Sequence, residues 1–459
     1  MTPQPSWSAD QPAPSRGEPR ELTLAVGAPA HGGHCVARPV DDPGGRVIFV
    51  RHALPGETVR ARLTEMTSRT WRADAVEILQ ASPDRVESVW PEAGPAGVGG
   101  GELAHVALDA QRTWKRWVLA DCLRRIGGQE VADAVASLPE ASAAAAVPIE
   151  PMPTDAAAQA STSARRRALA GTATRTRISL TVSEDGRPGM HAFRSGTVLP
   201  LHRLPLAVPA ITEIGLLERS RWRAHYRPGM RIEAIAPSGG EPVVLIGEDT
   251  YAADGVRIDA DVLRWNVPVG SGVESYYVRP SGFWQTHVRG AEVLANAVLA
   301  AAFGSNEAGA GRAVMELYSG AGLFSVPLAR AVGETGRMVT LEGDEAAVRD
   351  AGENLEAFDW VDAFAGNVDR EGLIDLSGQL GAVPDVVVAD PPRAGAGATV
   401  CEAIAATGAP RVVLVSCDPA AGARDLRTLT EAGYQLESLQ AWDLFPHTHH
   451  VETVSVLSR

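Results

Sequence analysis

The sequence predicts an α/β chain with a mainly parallel sheet in its last third, preceded by a small β-barrel and a mixed α+β central region. Three observations support this. Strand-like runs alternate with helical stretches after residue 310, short strands separated by turns fill residues 20 to 80, and the stretch between them has a weaker pattern. Hydrophobic residues make up 45% and charged residues 21% of the 459 positions, which is typical of a globular protein.

The chain divides into four predicted parts. Residues 1–18 are rich in Pro, Ser and polar residues and lack an apolar core, which predicts a disordered tail rather than a signal peptide. The barrel is predicted at residues 19–82. The central domain is predicted at residues 83–280, with a loose Ala-, Pro- and Ser-rich insertion near 130–164, and the α/β domain at residues 281–459.

The front half offers several local signals. Four strands are predicted in the barrel, at Leu22–Val26, Val47–Val50, Thr58–Met66 and Trp71–Leu79. A Gly-rich stretch at 94–101 then precedes a predicted helix at Leu108–Ile126, and strand-like sequence resumes at Arg177–Val182. From there to about residue 280 the pattern is too weak to assign elements.

The last third has a clear alternation. Strands are predicted at Ala313–Leu317, Arg337–Leu341, Asp385–Ala389 and Arg411–Ser416, and helices at Phe324–Val332, Glu345–Phe358 and Ala420–Ala432. Asp418 is typical of an N-cap, with Pro419 as the first helical residue. Alternating strands and helices indicate βαβ units, whose parallel sheet binds ligands at the carboxyl ends of its strands.

Chemically distinctive residues follow these four strands. Gly320 and Gly322 follow the first and allow a ligand to approach the backbone closely. Glu342 follows the second, about 20 residues later, where a carboxylate suits two ribose hydroxyls. Asp390 follows the third, in a stiff Asp-Pro-Pro-Arg turn, and Cys417 follows the fourth. We therefore expect one cleft to collect all four positions.

Cys417 is the candidate nucleophile. Its predicted place at the end of a strand and the start of a helix favours thiolate, because the helix dipole stabilises negative charge at the amino end. The alternative is that Cys417 is a small buried hydrophobe, as many isolated cysteines are.

These motifs, taken in order, resemble the TRAM-domain RNA (uracil-5-)-methyltransferases. The matching segments are Phe283–Gln285, Leu317–Phe324, Glu342, Asp390–Gly395, Ser416–Pro419 with Ala423–Asp425, and Phe445–Thr453, together with Gly32–Gly33, Leu54–Glu57 and Ser82–Arg85 in the barrel. The resemblance covers most of the chain but is thin from about 130 to 270. It implies a Rossmann-like class I methyltransferase domain, a TRAM/OB-like barrel that binds RNA, and S-adenosyl-L-methionine as the methyl donor.

The resemblance also implies residue roles. Gln285, Tyr318, Glu342 and Asp390 would line the cofactor and base pocket, Gly320 and Gly322 would form its glycine loop, Cys417 would be the nucleophile and Glu452 the base. The implied reaction transfers a methyl group to C5 of a uridine in tRNA or rRNA. Neither the RNA nor the oligomeric state can be predicted from the sequence.

The chain departs from the family pattern at three places. Some members hold an iron–sulfur cluster through a Cys-Gly-Gly-Cys motif, but Val98-Gly-Gly-Gly101 stands here, so we expect no cluster. His287 and Asp418 replace asparagines that are usual in the family, and the negative charge of Asp418 opposes thiolate formation at Cys417. A zinc site at His447, His449 and His450 is possible by spacing, although structural or substrate-contacting histidines are favoured.

Partners and location follow from the bulk sequence. A net charge of −14 does not indicate a nucleic-acid binder, but arginine-rich clusters lie at 112–116, 165–177 and 219–231. Four cysteines without metal-type spacing and no apolar run of roughly 20 residues predict a cytoplasmic protein with no membrane contact. No sequence feature indicates an obligate protein partner.

Two other functions remain open from the residues alone. A nucleotide-dependent oxidoreductase would use Gly320, Gly322 and Glu342, but Ser325 stands where the dinucleotide fingerprint has its third glycine or alanine. A non-catalytic RNA-binding factor would retain the fold without using Cys417 or Glu452.

Overall fold

The computed structural model describes residues 20–142, 144–304 and 309–459; the predicted tail at 1–18 lies outside the described residues. The described chain forms two compact units. The first contains residues 20–30 and His34–Pro83, and the second contains His31–Gly33 and Asp84–Arg459.

The first unit is a closed five-stranded barrel, counted over residues 20–80. Its strands are β1 (Glu21–Ala30), β2 (His34–Pro39), β3 (Ile48–Arg51), β4 (Thr58–Met66) and β5 (Trp71–Gln80), in the order β1-β2-β3-β5-β4. Alternate side chains such as Leu24, Val26, Ile48 and Val50 fill the interior. The predicted barrel is confirmed. Strand β2 was not predicted, because its buried positions hold His34, Cys35 and Ala37 and no large aliphatic side chain.

The second unit begins with helices and short strands. Its first elements are α1 (Leu108–Cys122), which continues as a π-helical turn (Leu123–Gly127), α2 (Gln129–Ala136), β6 (Glu150–Pro151), α3 (Pro153–Gln159) and α4 (Ala164–Ala168). The segment expected to be a loose insertion at 130–164 therefore contains helices and a strand in its described part. Its anchor is apolar, because Met152 is fully buried in the core of the α/β domain.

An antiparallel sheet follows, where the sequence predicted only its strand β7. Its elements are β7 (Arg177–Val182), β8 (Pro188–His191), β9 (Val198–Pro200), α5 (Pro209–Thr212), α6 (Ser220–Arg223), β10 (Arg231–Ile235), β11 (Val243–Ile246), β12 (Asp249–Ala252) and β13 (Arg257–Ile258). The sheet order is β13-β12-β11-β10-β7-β8-β9. Trp222, which is fully buried, and Tyr226 belong to its core. Strands of two to six residues carry too little periodicity to be recognised in a sequence.

The α/β domain is reached through a hairpin and a helix. The elements are β14 (Leu263–Val269), β15 (Gly272–Val278), α7 (Gly290–Phe303), β16 (Ala313–Leu317), α8 (Ser325–Val332), β17 (Arg337–Glu342), α9 (Glu345–Leu355), β18 (Val361–Ala365), α10 (Arg370–Leu380), β19 (Val386–Ala389), α11 (Ala398–Ala406), β20 (Arg411–Ser416), α12 (Pro419–Glu431), β21 (Gln435–Asp443) and β22 (Glu452–Ser458). All four predicted strands and all three predicted helices of this region are present, within three residues at each end.

The sheet of this domain has the order β18-β17-β16-β19-β20-β22-β21-β6 among the described residues. Strands β16 to β20 are parallel, whereas β22 runs antiparallel to β20 and β21. After β16 the chain turns towards β17 and β18 and then returns to β19 on the other side. The carboxyl ends of β16 and β19 therefore flank a topological switch point, where α/β sheets bind ligands.

Within the described residues, no helix has both the length and the apolar character that crossing a lipid bilayer requires.

Candidate active site

The register of two strands brings Cys417 and Glu452 together. Ser416, the last residue of β20, pairs with Thr453 of the antiparallel strand β22. The next position along β20 is Cys417, and the preceding position along β22 is Glu452. Since antiparallel partners run in opposite directions, these two residues leave the ladder at the same edge of the sheet.

A cavity of about 590 Å³ opens at this edge. The residues that line it are Phe283–Gln285, Tyr318–Ala321, Leu323, Phe324, Glu342, Asp344, Ala347, Asp350, Asp390–Arg393, Cys417, Phe445, His450 and Glu452. Seven of the eight candidate site residues are among them. Gly322 is the exception: its N–H donates to Ser319 O (2.9 Å), and its φ of +89° closes the turn before α8.

The glycine loop after β16 has an unusual backbone. Tyr318 has a φ of +62° and Gly320 a φ of +54°, in the left-handed region that favours glycine. A Cβ atom at Gly320 would meet no other atom within 4 Å, so this face of the loop is open. The N–H of Gly320 donates to Glu342 Oε2 (3.0 Å), which fixes the acid of β17 against the loop.

Aromatic packing positions Gln285. Trp284 is buried against Trp265, with ring centroids 5.5 Å apart, and against Tyr276, at 5.1 Å. The hydroxyl of Tyr276 in turn donates to Leu323 O (2.9 Å) in the glycine loop. One cluster thus supports both the loop and the segment that presents Gln285 to the cavity.

Two of the acids that line the cavity, Asp390 and Glu452, have raised pKa values. Burial, followed by the charge of Glu342, raises the pKa of Asp390 to about 7. Burial and the charge of Asp390 raise the pKa of Glu452 well above its ordinary value, and Arg393 opposes this. A carboxyl group with a raised pKa binds a proton strongly, which is the property that a general base needs.

The sequence predicted that the helix dipole would favour the thiolate form of Cys417. For the free protein this prediction is wrong. Burial, together with the charges of Glu452 and Asp390, raises the pKa of the Cys417 thiol to about 12. Asp418 is the N-cap that the sequence predicted, and its Oδ1 accepts hydrogen bonds from the N–H groups of Ala420 (3.0 Å) and Ala421 (2.9 Å). The Asp418 carboxylate, rather than the thiol, therefore uses these donors of the helix.

The three arginine-rich clusters differ in exposure. Lys115 of the first cluster is fully buried, and Arg175 of the second is half-buried and donates to Gly100 O (3.0 Å). Lys115 is therefore not a surface cation. Arg219, Arg221 and Arg223 of the third cluster are exposed. Arg165, Arg166 and Arg167 of the second cluster are exposed as well. Exposure therefore favours these two groups of arginines over the first cluster as candidates for contact with a polyanion.

Two family models and several named proteins match this chain. The family model tRNA (Uracil-5-)-methyltransferase matches residues 250–459, and the TRAM domain model matches residues 18–76. An RNA methyltransferase of Bifidobacterium longum, described as uncharacterized, is 37% identical and covers 93% of this chain and 94% of its own length. The chain belongs to the TRAM-domain RNA (uracil-5-)-methyltransferase family.

Two further relatives are more precisely named. The 23S rRNA (uracil(1939)-C(5))-methyltransferase RlmD of Acinetobacter baylyi is 29% identical over 90% of this chain and 89% of its own. The crystal structure of the Pyrococcus abyssi tRNA (uracil-54, C5)-methyltransferase in complex with S-adenosyl-L-homocysteine has a TM-score of 0.60. It is 20% identical and covers 95% of this chain and 100% of that one, so it shows the fold.

S-adenosylmethionine is the methyl donor of this family, and the residues of this methyltransferase fit it. The open face of Gly320 leaves room for a ligand, and Glu342 lies beside it. Five Asp and Glu side chains line the cavity, and those that are ionised suit a sulfonium cation. By contrast, an iron–sulfur cluster does not fit at Val98–Gly101, because this segment has no cysteine to supply a thiolate ligand. A Cβ atom at Gly101 would lie 2.7 Å from Ala93 Cβ and 2.9 Å from the Trp90 ring.

The three histidines do not form a metal centre. Across residues 20–142, 144–304 and 309–459, no group of three or more His, Cys, Asp or Glu side chains could hold a metal ion. His450 lines the cavity, and burial, followed by the charges of His449 and Arg393, lowers its pKa to about 3. His450 is thus a neutral group at neutral pH.

Sequence reasoning did not assign a site role to Asp344 and Asp350, which also line the cavity. Both carboxylates pair with Arg279, at 2.6 and 2.9 Å. A signal was present, because Asp344 follows Glu342 by two residues and caps α9. Helix caps are common, however, and the pairing with Arg279 spans more than 60 residues of sequence.

The raised thiol pKa predicts slow alkylation of Cys417 in the free protein. At pH 8, we expect iodoacetamide to modify Cys417 about 100- to 1,000-fold more slowly than in the unfolded chain, because a pKa of about 12 leaves little thiolate. Mass spectrometry of the Cys417 peptide measures the rate, and Cys417→Ala gives the background. Equal rates in the folded and unfolded protein would contradict the raised pKa.

Proposed function

We propose that this methyltransferase modifies C5 of a uridine through covalent addition of Cys417. The protein is an S-adenosylmethionine-dependent RNA (uracil-5-)-methyltransferase, and the proposal concerns how its residues act. The observation that supports it is the pairing of Ser416 with Thr453, which brings a thiol and a buried carboxyl group to one cavity.

The first half of the reaction makes C5 nucleophilic. The Cys417 thiol loses its proton to solvent, and its sulfur bonds to C6 of the uracil ring, which moves the C5–C6 π electrons into an enolate. C5 then bonds to the donor methyl group while the bond from that methyl group to sulfur breaks, releasing neutral S-adenosylhomocysteine. The raised pKa of the thiol makes its first deprotonation a demanding step.

The second half restores the base and the enzyme. Glu452 in its ionised form takes the proton from C5, the C5–C6 double bond forms again, and the C6–sulfur bond breaks to release thiolate. The proton held by Glu452 then returns to Cys417, so that one proton is released to solvent in each cycle. The carboxyl group fits this role because its proton affinity is raised by burial.

Other residues would select and hold the base. Gln285 can both donate to and accept from a uracil edge, and it is part-exposed at the cavity. A base inside a stacked helix cannot reach Cys417, so the target uridine leaves its stack. Arg219, Arg221 and Arg223 are candidate contacts with the RNA backbone.

The RNA substrate is proposed to be transfer or ribosomal RNA. The named relatives act on one or the other, RlmD on 23S rRNA and the archaeal protein on tRNA. Both named reactions place the methyl group on uracil C5. We propose a single class of target uridine, with the RNA to be identified by experiment.

We expect Cys417→Ala to abolish covalent trapping and Glu452→Gln to stall after methyl transfer. RNA from cells grown with 5-fluorouracil should form a methylated adduct with wild-type protein, because fluorine cannot leave as a proton does. With ordinary RNA, Glu452→Gln should accumulate the same type of adduct, and its turnover should fall about 10²- to 10⁴-fold. Denaturing gels and mass spectrometry of the cysteine peptide detect the adducts.

The matched control is Cys401→Ala, which removes a buried thiol of the same domain. It should retain turnover and trapping. An adduct on Cys401, or trapping by Cys417→Ala, would assign the nucleophile elsewhere. Labelled S-adenosylmethionine reports the overall reaction in each case.

Mapping of 5-methyluridine identifies the substrate. Transfer and ribosomal RNA from cells with and without the gene should differ at one class of uridine, and wild-type protein should restore that methyl group in vitro. Protein with Cys417→Ala is the control for restoration. If every 5-methyluridine persists without the gene and no RNA accepts methyl, the proposed reaction is wrong.

A further inference from the structure

The turn between β21 and β22 connects directly to the proposed base. Residues 444–451, here called the base turn, run from the end of β21 to Glu452 at the start of β22. Phe445 and His450 of this turn line the cavity together with Glu452. The position of the base turn therefore sets the positions of Phe445 and His450 at the cavity and of the backbone that leads into Glu452.

Gln111 of helix α1 holds the middle of the base turn. Its Oε1 accepts from the backbone N–H of His447 (2.7 Å), and its Nε2 donates to His447 Nδ1 (3.1 Å). The same Nε2 donates to Val106 O (2.8 Å) and lies 3.2 Å from Leu103 O. Gln111 is fully buried, so these contacts replace those it would make with water.

Lys115 holds the start of the base turn from one helical turn further along α1. Its ammonium group pairs with Asp443, the last residue of β21, and donates to Phe445 O (3.0 Å). Lys115 and Asp443 are both almost completely excluded from solvent. Phe445 O also accepts from Thr448 Oγ1 (2.7 Å), so the ammonium group binds where the turn folds back on itself.

The base turn is not a conformation that its own residues favour. His447 has a φ of +66°, which only a few per cent of residues other than glycine adopt, and it is buried. Such a backbone persists only where surrounding contacts determine it. Those contacts come largely from α1 and from Leu103, whose N–H donates to His447 O (2.9 Å).

We propose that Gln111 and Lys115 are positioning residues that hold Glu452 where it can take the C5 proton. Neither side chain lines the cavity, and both act through the base turn. This inference rests on the proposed function, because it assumes that Glu452 is the base. It adds a specific consequence: loosening the base turn slows proton removal from C5 more than it slows the addition of Cys417.

The main test is the double variant Lys115→Met with Asp443→Asn. It removes both charges and keeps both shapes, which avoids leaving one buried charge without a partner. With total RNA from cells lacking the gene and saturating S-adenosylmethionine, kcat should fall roughly tenfold or more, and a methylated protein–RNA adduct should accumulate. Trapping of RNA from 5-fluorouracil-grown cells should stay within roughly threefold of wild type.

The matched control is Arg330→Met with Glu274→Gln. It neutralises an ion pair of the same unit, between α8 and β15, whose two contacts of 2.7 and 2.8 Å lie outside the cavity lining. This control should keep wild-type kcat and should not accumulate adduct. Thermal unfolding of both double variants separates loss of function from loss of folding.

A second variant covers the case in which the first does not fold. Gln111→Met removes the contacts with His447 while nearly keeping the side-chain volume, and it should show the same excess of adduct over product. Gln111→Glu keeps one acceptor for the His447 N–H and should recover part of kcat.

The outcomes separate the two proposals. If wild-type protein transfers no methyl group, the proposed function fails. If wild-type protein is active and the folded variants turn over normally, or lose trapping and turnover equally, the positioning role is wrong. Adduct accumulation with retained trapping is the result that supports it.

Discussion

The antiparallel pairing of β22 with β20 is the constraint on which the active site depends. A strand that entered the sheet in the parallel sense would begin at the opposite edge, and Glu452 would lie far from Cys417. A shift of register by one residue would also turn Glu452 to the other face of the sheet. The ladder from Arg411 to Ser416 is fully paired with β22, and its interior residues are buried. The chemistry therefore depends on a feature of the sheet that its core residues maintain.

The pairing carries an electrostatic cost. It places Glu452 and Cys417 in the cavity that Asp390 also lines, and Arg393 is the one arginine or lysine among the described residues that line this cavity. Each group is consequently held in its protonated form more strongly than in water. A cationic methyl donor reduces this repulsion, whereas its neutral product does not. The same arrangement disfavours a free thiolate when the cavity holds solvent alone, which protects the nucleophile from oxidation and alkylation.

The sequence was informative where function depends on local patterns. The order of strands and helices after residue 310 follows from hydrophobic periodicity, and Asp418 with Pro419 predicted the start of α12 correctly. The short strands of the central sheet were not predictable, because two to six residues carry little pattern. The direction of the thiol pKa was also mispredicted. The helix dipole is a local property, whereas burial and the nearby carboxylates come from β19 and β22, which are distant in sequence.

The contacts of Gln111 and Lys115 were also not predictable from the sequence, because they too join residues that are distant in sequence. Both residues lie on a helix whose apolar pattern was recognised, and Lys115 was interpreted as part of a surface cluster. Its partner Asp443 is more than 300 residues away, so no local rule predicts a buried ammonium group there. A lone sequence also cannot distinguish a lysine that contacts RNA from one that stabilises a turn.

The two family departures next to the site preserve hydrogen-bond acceptors. His287 Nδ1 accepts from the N–H of Arg289 (3.1 Å), just before α7, and Asp418 Oδ1 accepts from two N–H groups at the start of α12. An asparagine side-chain oxygen can make the same contacts. The shared requirement at both positions is thus an acceptor for backbone N–H groups at a helix start. Histidine at 287 and aspartate at 418 both meet this requirement, as the asparagines usual in the family can.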